Sequence, residues 1–237
     1  MTDRFGSIGR PLRSSTTMVA DALNKARLVR GERSYSQEGE DRILDRIFAS
    51  APKGFYVDVG AHHPMRFSNT YLFYRRGWRG VNIDAMPGSM RLFDKYRSRD
   101  TNIEAGIGAT AETIPFYVFN EPALNSFDRE LSESRDIGPY RIEKVIDVRV
   151  LPLREVLHDR LPRENMPSFL TVDVEGRDVE ALQSNDWSAF RPTYVLAESV
   201  GTTIEEAMQG PMSSFMSSVG YRAIAKTANT VFYQAGD

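Results

Sequence analysis

A short apolar segment, Phe55–Val59, places the strongest constraint on the fold of this chain. It reads Phe-Tyr-Val-Asp-Val, lies between two glycines, Gly54 and Gly60, and is rich in β-branched and aromatic residues. Such a run is typical of a strand buried on both faces of a parallel sheet. Gly60 lets the backbone approach a ligand closely, and a helix after the turn would offer free N–H groups. The segment therefore predicts an α/β fold with a nucleotide site at this turn.

The residues of the turn discriminate between two kinds of nucleotide. A dinucleotide-binding turn has the pattern G-x-G-x-x-G, and its second and third glycines are absent after Gly60. Asp58 lies two residues before Gly60, and an acid beside a tight turn suits the aminoacyl end of S-adenosylmethionine. The alternative is a buried strand and turn that binds no ligand.

Composition limits the class of protein. The 237 residues suit one α/β domain with an N-terminal extension. The net charge of -2 gives no reason to expect nucleic acid binding, and the absence of cysteine excludes disulfides, thiolate metal sites and cysteine nucleophiles. No apolar run is long enough for an integral membrane segment and no signal core is visible, so we expect a cytoplasmic protein.

Residues 1–33 differ in composition from the rest of the chain. They carry seven Arg or Lys against three acids, and residues 17–29 show helical spacing of apolar side chains. We expect a solvated basic arm and a capping helix. A homodimerisation arm, or a contact to an anionic or membrane-bound substrate, is the alternative. The predicted organisation is therefore an arm and helix over residues 1–33 and an α/β domain over residues 34–237.

Acidic residues follow or end three more predicted strands. Asp84 ends the second strand, where a ribose diol is held in such folds, and a carboxylate can accept from both hydroxyls. Asp173 and Glu175 come at the end of the fourth parallel strand, and Glu198 ends the fifth. Because ligands of open α/β sheets bind outside the carboxyl ends of the strands, these side chains are expected to face the site.

The remaining elements are predicted from shorter patterns. Strands are expected over 80–85, 101–105, 114–119, 145–150, 169–172 and 194–198, with a terminal hairpin over 221–225 and 229–234. Gly106 would open the sheet edge to an adenine ring. The polar segment 120–140, with Asn125 and Ser126, is the candidate substrate loop. Ser36 is the expected N-cap of a helix that precedes the first strand.

Three motifs taken together resemble the FkbM family of methyltransferases. They are Ser36–Asp41 (SQEGED), Asp58–Pro64 (DVGAHHP) followed by Ser68-Asn69-Thr70 and Gly77-Trp78-Arg79-Gly80, and Asp173–Gly176 (DVEG). The resemblance runs from residue 35 to about residue 234. It implies a class I, Rossmann-like α/β fold: a seven-stranded, mostly parallel sheet with helices on both faces and a C-terminal antiparallel hairpin.

The resemblance also implies S-adenosylmethionine-dependent O-methylation of a saccharide or glycosylated metabolite. The turn at Asp58 and Gly60 would hold the methionine end, Asp84 the ribose, and Gln37 with Glu40 or Asp41 would close over the donor. The full set of expected donor residues is Gln37, Glu40, Asp41, Asp58, Gly60, Ala61, Asp84, Ala85 and Gly106. The acceptor, a small molecule or an oligosaccharide, is expected at Asn69, Asn125 and Ser126.

Methyl transfer needs alignment of the acceptor oxygen and a base for its proton. Asp173 and Glu175 are the first candidates and His63 is the next. Alternative roles are an N-cap for Glu175 and a structural hydrogen bond for His63. Asp173 and Glu198 could instead share a Mg²⁺ ion that acidifies the hydroxyl, as in related sugar O-methyltransferases of the macrocin type.

Other function classes remain open from the sequence. A nicotinamide-dependent sugar oxidoreductase would need a glycine-rich pyrophosphate turn, which Gly60–Pro64 does not supply. A non-catalytic S-adenosylmethionine-binding protein would tolerate neutralisation of Asp173 and Glu175. Base N-methylation is disfavoured by the balanced charge and by the absence of an Asn/Asp-Pro-Pro-Tyr-like stretch after the fourth strand.

Overall fold

The computed structural model describes residues 33–161 and 166–236. The chain divides into two units, Met1–Arg33 and Ser34–Asp237, and all elements below belong to the second. The expected basic arm and the helix over residues 17–29 lie outside the described residues.

The described residues contain ten strands, eight α-helices and one short 3-10 turn. The helices are α1 (Glu40–Ile47), α2 (Tyr71–Arg75), α3 (Met90–Tyr96), α4 (Arg129–Arg135), α5 (Leu153–Arg160), α6 (Asp178–Gln183), α7 (Ile204–Gln209) and α8 (Pro211–Ser218). The main-sheet strands are β1 (Phe55–Val59), β2 (Arg79–Asp84), β3 (Thr101–Glu104), β7 (Phe169–Val172), β8 (Tyr194–Glu198), β9 (Tyr221–Lys226) and β10 (Thr230–Ala235). A second sheet contains β4 (Gly106–Ile107), β5 (Glu112–Phe119) and β6 (Ile142–Leu151), and the 3-10 turn is Pro122–Leu124.

The main sheet has seven strands in the order β3-β2-β1-β7-β8-β10-β9. The first five run parallel, whereas β10 pairs antiparallel with both β8 and β9. The predicted seven-stranded sheet with a C-terminal antiparallel hairpin is therefore confirmed. Val59 is level with Ile83 of β2 and with Val172 of β7. This register brings the carboxyl ends of the three central strands to one edge.

The core lies on both faces of this sheet. Val57 and Val59 of β1 pack on one side with Leu170 and Val172, while Tyr56 packs on the other with a cluster of aromatic and leucine side chains. That second cluster contains Leu44, Phe73, Trp78, Phe169, Leu196 and Phe232. Burial of each large apolar side chain contributes about 1.5–3 kcal/mol, so β1 is held from both faces. The segment that dominates the sequence is thus the centre of the fold.

Strands β4, β5 and β6 form an insert with a sheet of its own. The long β5–β6 pair is antiparallel, and the 3-10 turn and α4 lie in its connection. Phe116, Val118 and Val148 form a separate small core for this insert. The inserted antiparallel strand predicted over residues 114–119 is present, and the candidate substrate loop connects it to β6.

Two local expectations differ from the structure. The N-cap residue of α1 is Gly39, with φ 92°, and not Ser36, although the Ser36 hydroxyl accepts a hydrogen bond from the first-turn N–H of Asp41 at 3.2 Å. The helix expected after the Gly60 turn begins at Tyr71, so residues 61–70 form a loop. The end of β1 therefore has no adjacent helix N-terminus for a pyrophosphate.

The helices of residues 33–161 and 166–236 lack the combination of length and apolarity that a bilayer crossing requires.

Candidate active site

A cavity of about 350 Å³ lies where β1, β2 and β7 end. Of the residues predicted for the site, those that line it are Gln37, Gly60, His63, Asp84, Ala85, Gly106, Asn125, Asp173 and Glu175. The others lie outside the lining: Glu40, Asp41, Asp58, Ala61, Asn69, Ser126 and Glu198. One cavity thus contains both the expected donor side and the first two candidate bases.

Gly60 is the residue that lets β1 and β7 approach each other at this cavity. It has φ 80°, and a Cβ atom there would lie 1.7 Å from the backbone oxygen of Asp173. The N–H of Asp173 in turn donates to the Val59 oxygen at 3.0 Å. The turn after β1 is therefore pressed against the turn that carries the candidate bases.

Asp84 is fixed by backbone amides at the end of β2. Its Oδ2 accepts from the His62 N–H and its Oδ1 from the Met86 N–H, both at 2.9 Å. Burial raises the pKa of Asp84, and these two amide hydrogen bonds oppose that shift. Each oxygen keeps a second lone pair, so the carboxylate can still accept from a diol.

Three carboxylates converge beside the cavity. Asp173, Glu175 and Glu198 each offer an oxygen atom, and these atoms all lie within 4.8 Å of one another. Asp173 reaches solvent through the cavity, although protein surrounds it on the other sides. Arg135 of α4 donates to Glu175 Oε2 at 2.5 Å. The trio therefore comes from the ends of β7 and β8, and the insert contributes the arginine that pairs with Glu175.

The close approach of these carboxylates changes their proton affinity. Burial and then repulsion from Glu198 and Glu175 raise the pKa of Asp173 well above its usual value. Burial and repulsion from Glu175 raise the pKa of Glu198 to about 8. Burial also raises the pKa of Glu175, but its hydrogen bond from Arg135 opposes the shift. Near neutral pH the trio therefore holds at least one proton, which is the property of a site that exchanges protons with a ligand.

Glu175 does not cap the helix that follows it. Helix α6 has Arg177 as its N-cap residue, and the Asp178 carboxylate accepts from the N–H groups of Val174 and Gly176 at 3.0 and 3.3 Å. Glu175 instead has a left-handed backbone, with φ 53°. Such strain in a residue other than glycine is concentrated at functional sites.

His63 holds the loop after β1 through its ring. Its Nδ1 accepts from the N–H groups of Met65 and Arg66 at 3.1 and 3.0 Å. Burial, followed by repulsion from Arg66, lowers the pKa of His63, so the ring is neutral and its proton is on Nε2. This arrangement matches the structural hydrogen-bonding role, because neither ring nitrogen then has a lone pair free for a substrate proton.

The carboxylates of Glu40 and Asp41 accept hydrogen bonds from other residues of the protein. Asp41 is completely buried and accepts from the Ser34 hydroxyl, the Tyr35 N–H and the Ser36 hydroxyl at 2.6, 2.8 and 2.9 Å. Glu40 accepts from the Thr227 hydroxyl at 3.1 Å. The expectation that they close over the donor has no support in these contacts, and Gln37 is the member of the motif that reaches the cavity.

The three expected acceptor residues have different positions. Asn69 Nδ2 donates to the Thr171 hydroxyl at 2.9 Å, away from the cavity lining. Asn125 lines the cavity while its Oδ1 accepts from the Phe119 N–H at 2.8 Å. Ser126 is buried and donates to the Glu175 backbone oxygen at 2.7 Å. Ser126 thus attaches the insert to the turn that carries Glu175.

Asp58 belongs to a buried network that sequence reasoning missed. Thr70 donates to Asp58 Oδ2 at 2.6 Å, and the buried Arg97 donates to Thr70 Oγ1 at 3.0 Å. Arg97 also donates to Tyr56 Oη at 2.8 Å and to Asp100 Oδ2 at 2.9 Å. Arg97 lies in the sequence Lys-Tyr-Arg-Ser-Arg-Asp, whose charges read as a solvated helix end, so no local signal identifies it.

His62 contributes one more polar atom to the cavity. Its Nε2 is buried and has no hydrogen-bond partner among the described residues. Burial lowers the pKa of His62, so the ring is uncharged near neutrality. The atom is available to a ligand group that enters the cavity.

Comparison with known proteins identifies the family. The family model described as the methyltransferase FkbM domain matches residues 58–223. The chain therefore belongs to the FkbM methyltransferase family, and its sheet is that of the class I S-adenosylmethionine-dependent methyltransferases. No curated protein matches the chain.

Solved structures resemble the chain only distantly. An O-methyltransferase from Bacillus cereus, solved with S-adenosylhomocysteine, is 10% identical with a TM-score of 0.45, over 95% of this chain and 92% of that one. The 1,6-didemethyltoxoflavin-N1-methyltransferase from Burkholderia thailandensis is 10% identical with a TM-score of 0.44, over 97% and 94%. Proteins at this distance do not indicate which atom of an acceptor is methylated.

Proposed function

We propose that this protein transfers the methyl group of S-adenosylmethionine to a hydroxyl oxygen of a saccharide or glycosylated metabolite. The observation that carries the proposal is the convergence of Asp173, Glu175 and Glu198 beside a cavity that Gly60 and Asp84 also line. Hydroxyl acceptors need a base, whereas many amine acceptors do not, so a cluster of proton-binding carboxylates favours oxygen as the nucleophile.

The donor would occupy the side of the cavity formed by β1, β2 and β4. The methionine end lies against Gln37 and Gly60, the ribose diol on Asp84, and the adenine beside Ala85 and Gly106. All five residues line the cavity. A volume of about 350 Å³ falls within the usual range of small-molecule pockets, about 300–1,000 Å³.

The acceptor would enter between this donor side and the insert. Asn125 lines the cavity, as do Pro122 and Ala123. Arg66 and Glu121 form an ion pair at 3.5 Å that connects the loop after β1 to the insert. The Asn125 side chain and this ion pair offer polar groups to a small hydroxylated molecule or to the end of an oligosaccharide.

The proposed reaction is one in-line displacement. The acceptor oxygen attacks the methyl carbon, the carbon–sulfur bond breaks with its electron pair on sulfur, and the acceptor proton passes to a carboxylate of the trio. The products are a methyl ether, neutral S-adenosylhomocysteine and a protonated carboxyl group. Alignment of the two reactants supplies most of the acceleration, and the base about 10²–10⁴-fold.

Asp173 is the carboxylate best suited to accept the proton. Its side chain faces the cavity, whereas Glu175 is paired with Arg135 and Glu198 lies outside the lining. His63 ranks below both acids because its Nδ1 already accepts two backbone N–H groups.

The same trio could coordinate a divalent cation instead of acting as a base. Carboxylate oxygens are the ligands that Mg²⁺ prefers, and three oxygens within 4.8 Å fit one ion after small side-chain shifts. This second route also lowers the pKa of a bound hydroxyl. Full activity after exhaustive chelation would exclude it.

The test is methyl transfer from labelled S-adenosylmethionine to a panel of saccharides, with detection of base-stable methyl ethers. We expect transfer with wild-type protein, and a loss of about 10²–10⁴-fold in Asp173→Asn with S-adenosylhomocysteine binding retained. Asp147→Asn, at an exposed position of β6, is the matched control and should remain active. Unchanged transfer in Asp173→Asn and in Glu175→Gln would contradict the assignment of the base. Donor binding without transfer to any acceptor would favour a non-catalytic binding protein.

A further inference from the structure

We propose that Thr70 and Arg97 are positioning residues for the methyl donor: Arg97 orients the Thr70 hydroxyl, which fixes the Asp58 carboxylate for the donor's ammonium group. The proposal rests on the donor site proposed above. It assigns a role to two residues outside the cavity lining, both of them buried.

The direction of each hydrogen bond in this chain follows from chemistry. A guanidinium has only donors, so the contact of 3.0 Å from Arg97 Nη2 to Thr70 Oγ1 uses a lone pair of the hydroxyl. The single hydroxyl proton of Thr70 is then directed to Asp58 Oδ2, at 2.6 Å. Arg97 thereby favours the orientation in which Thr70 donates to Asp58, and a hydrogen bond to the charged form stabilises the carboxylate anion.

Arg97 is itself held rigidly. Besides Thr70, its guanidinium donates to Tyr56 Oη, Asn82 Oδ1, Asp100 Oδ2 and the Pro64 backbone oxygen, at 2.8, 3.1, 2.9 and 3.2 Å. These partners lie on β1, β2, the turn before β3 and the loop after Gly60. The network therefore connects β1 and β2 with the loop that follows Gly60.

Asp58 is placed to use this support. It lies just outside the cavity lining, is 6% exposed, and directly precedes Val59 and Gly60, which both line the cavity. Burial raises its pKa to about 6, Thr70 and Arg97 lower it, and Asp100 and Asp84 raise it. Asp173 also repels Asp58. Asp58 is therefore an anion at neutral pH and loses its charge as the pH falls through about 6.

The test is calorimetric titration with S-adenosylhomocysteine at several pH values between about 5.5 and 8. Wild-type affinity should fall as the pH decreases through about 6. In Thr70→Val the midpoint of this dependence should move upward by about one pH unit, with up to about tenfold weaker binding near the wild-type midpoint. Thr70→Ser keeps the hydroxyl and should restore the wild-type profile. A merely structural role would weaken binding equally at every pH.

Asp58→Asn keeps the shape of the side chain and tests the role of the Asp58 charge if Thr70→Val fails to fold. We expect weak binding that does not change with pH. Wild-type affinity in Asp58→Asn, or the same pH profile in Thr70→Val as in wild type, would overturn the positioning proposal while leaving the donor site intact. Failure of the wild-type protein to bind S-adenosylhomocysteine at all would overturn both.

Discussion

At the scale of single residues, Gly60 meets two constraints that no other residue type can meet together. Its φ of 80° disfavours residues with a Cβ atom, and that atom would lie 1.7 Å from the Asp173 oxygen. A side chain there must therefore push β1 and β7 apart at their carboxyl ends. The turn after β1 and the turn that carries Asp173 can therefore touch only because Gly60 has a hydrogen atom in place of a side chain.

We expect Gly60→Ala to lower the free energy of unfolding by about 3 kcal/mol or more, from left-handed strain plus overpacking. Gly138→Ala is the matched control, because Gly138 has φ 64° but nothing within 4 Å of an added Cβ. The control should cost only about 1–2 kcal/mol. Urea unfolding measures both values, and equal costs would contradict the close approach.

Arg97 is the second residue that we expect to be hard to replace, because it is a buried cation paired with Asp100. Arg97→Met removes the cation and leaves the buried Asp100 carboxylate without its paired charge, so we expect a loss of about 3–5 kcal/mol of stability. The control is Arg99→Met, since Arg99 is exposed and stacks on Tyr74 at 4.1 Å. An exposed contact of that kind is worth about 0.5–1 kcal/mol. A similar cost for both variants in thermal or urea unfolding would show that the buried network is not coupled as described.

At the scale of elements, the segment before α1 fastens the C-terminal hairpin to the rest of the domain. Glu38 accepts from the N–H and the side-chain amide of Asn229 at 2.8 and 2.6 Å, and Glu40 accepts from Thr227 at 3.1 Å. Thr227 and Asn229 lie in the turn between β9 and β10. The acids of the SQEGED motif therefore secure the position of β10 beside β8.

Glu38→Ala should lower stability by about 1.5–3 kcal/mol, because a charged acceptor of two hydrogen bonds is lost. Amide exchange in the β9–β10 turn should accelerate while exchange in β1 stays slow. Glu133→Ala, on the exposed side of α4, should leave both quantities unchanged. Uniform acceleration across the sheet would mean that Glu38 acts on global stability instead of on the hairpin.

The insert is attached to the turn that carries Glu175. Ser126 donates to the Glu175 backbone oxygen at 2.7 Å, and Arg135 donates to the Glu175 carboxylate at 2.5 Å. Gly176 approaches Leu131 so closely that an added Cβ would lie 3.0 Å from its side chain. The segment proposed to bind the acceptor and the turn that carries Glu175 therefore form one packed unit.

At the scale of the whole molecule, the sequence predicts the sheet better than the site. β1 and β8 begin and end where expected, because both are buried apolar runs bounded by turn-forming or acidic residues. The acids at the strand ends also converge, since parallel register determines their position. The contact of Arg97 with Asn82 and those of Glu38 and Glu40 with the hairpin were not predictable, because these partners are 15, 191 and 187 residues away.

The distribution of buried carboxyl groups predicts how stability depends on pH. Burial raises the pKa of Asp58 and Asp178 from 3.8 to about 6, and burial with repulsion raises that of Glu198 from 4.5 to about 8. The folded state thus binds more protons than the unfolded chain, and stability is lost as pH rises through these values. We expect unfolding with chelator present to require at least about 2 kcal/mol more near pH 5 than near pH 8. Glu198→Gln should flatten the upper part of this slope, and a stability that rises with pH would contradict the assignment.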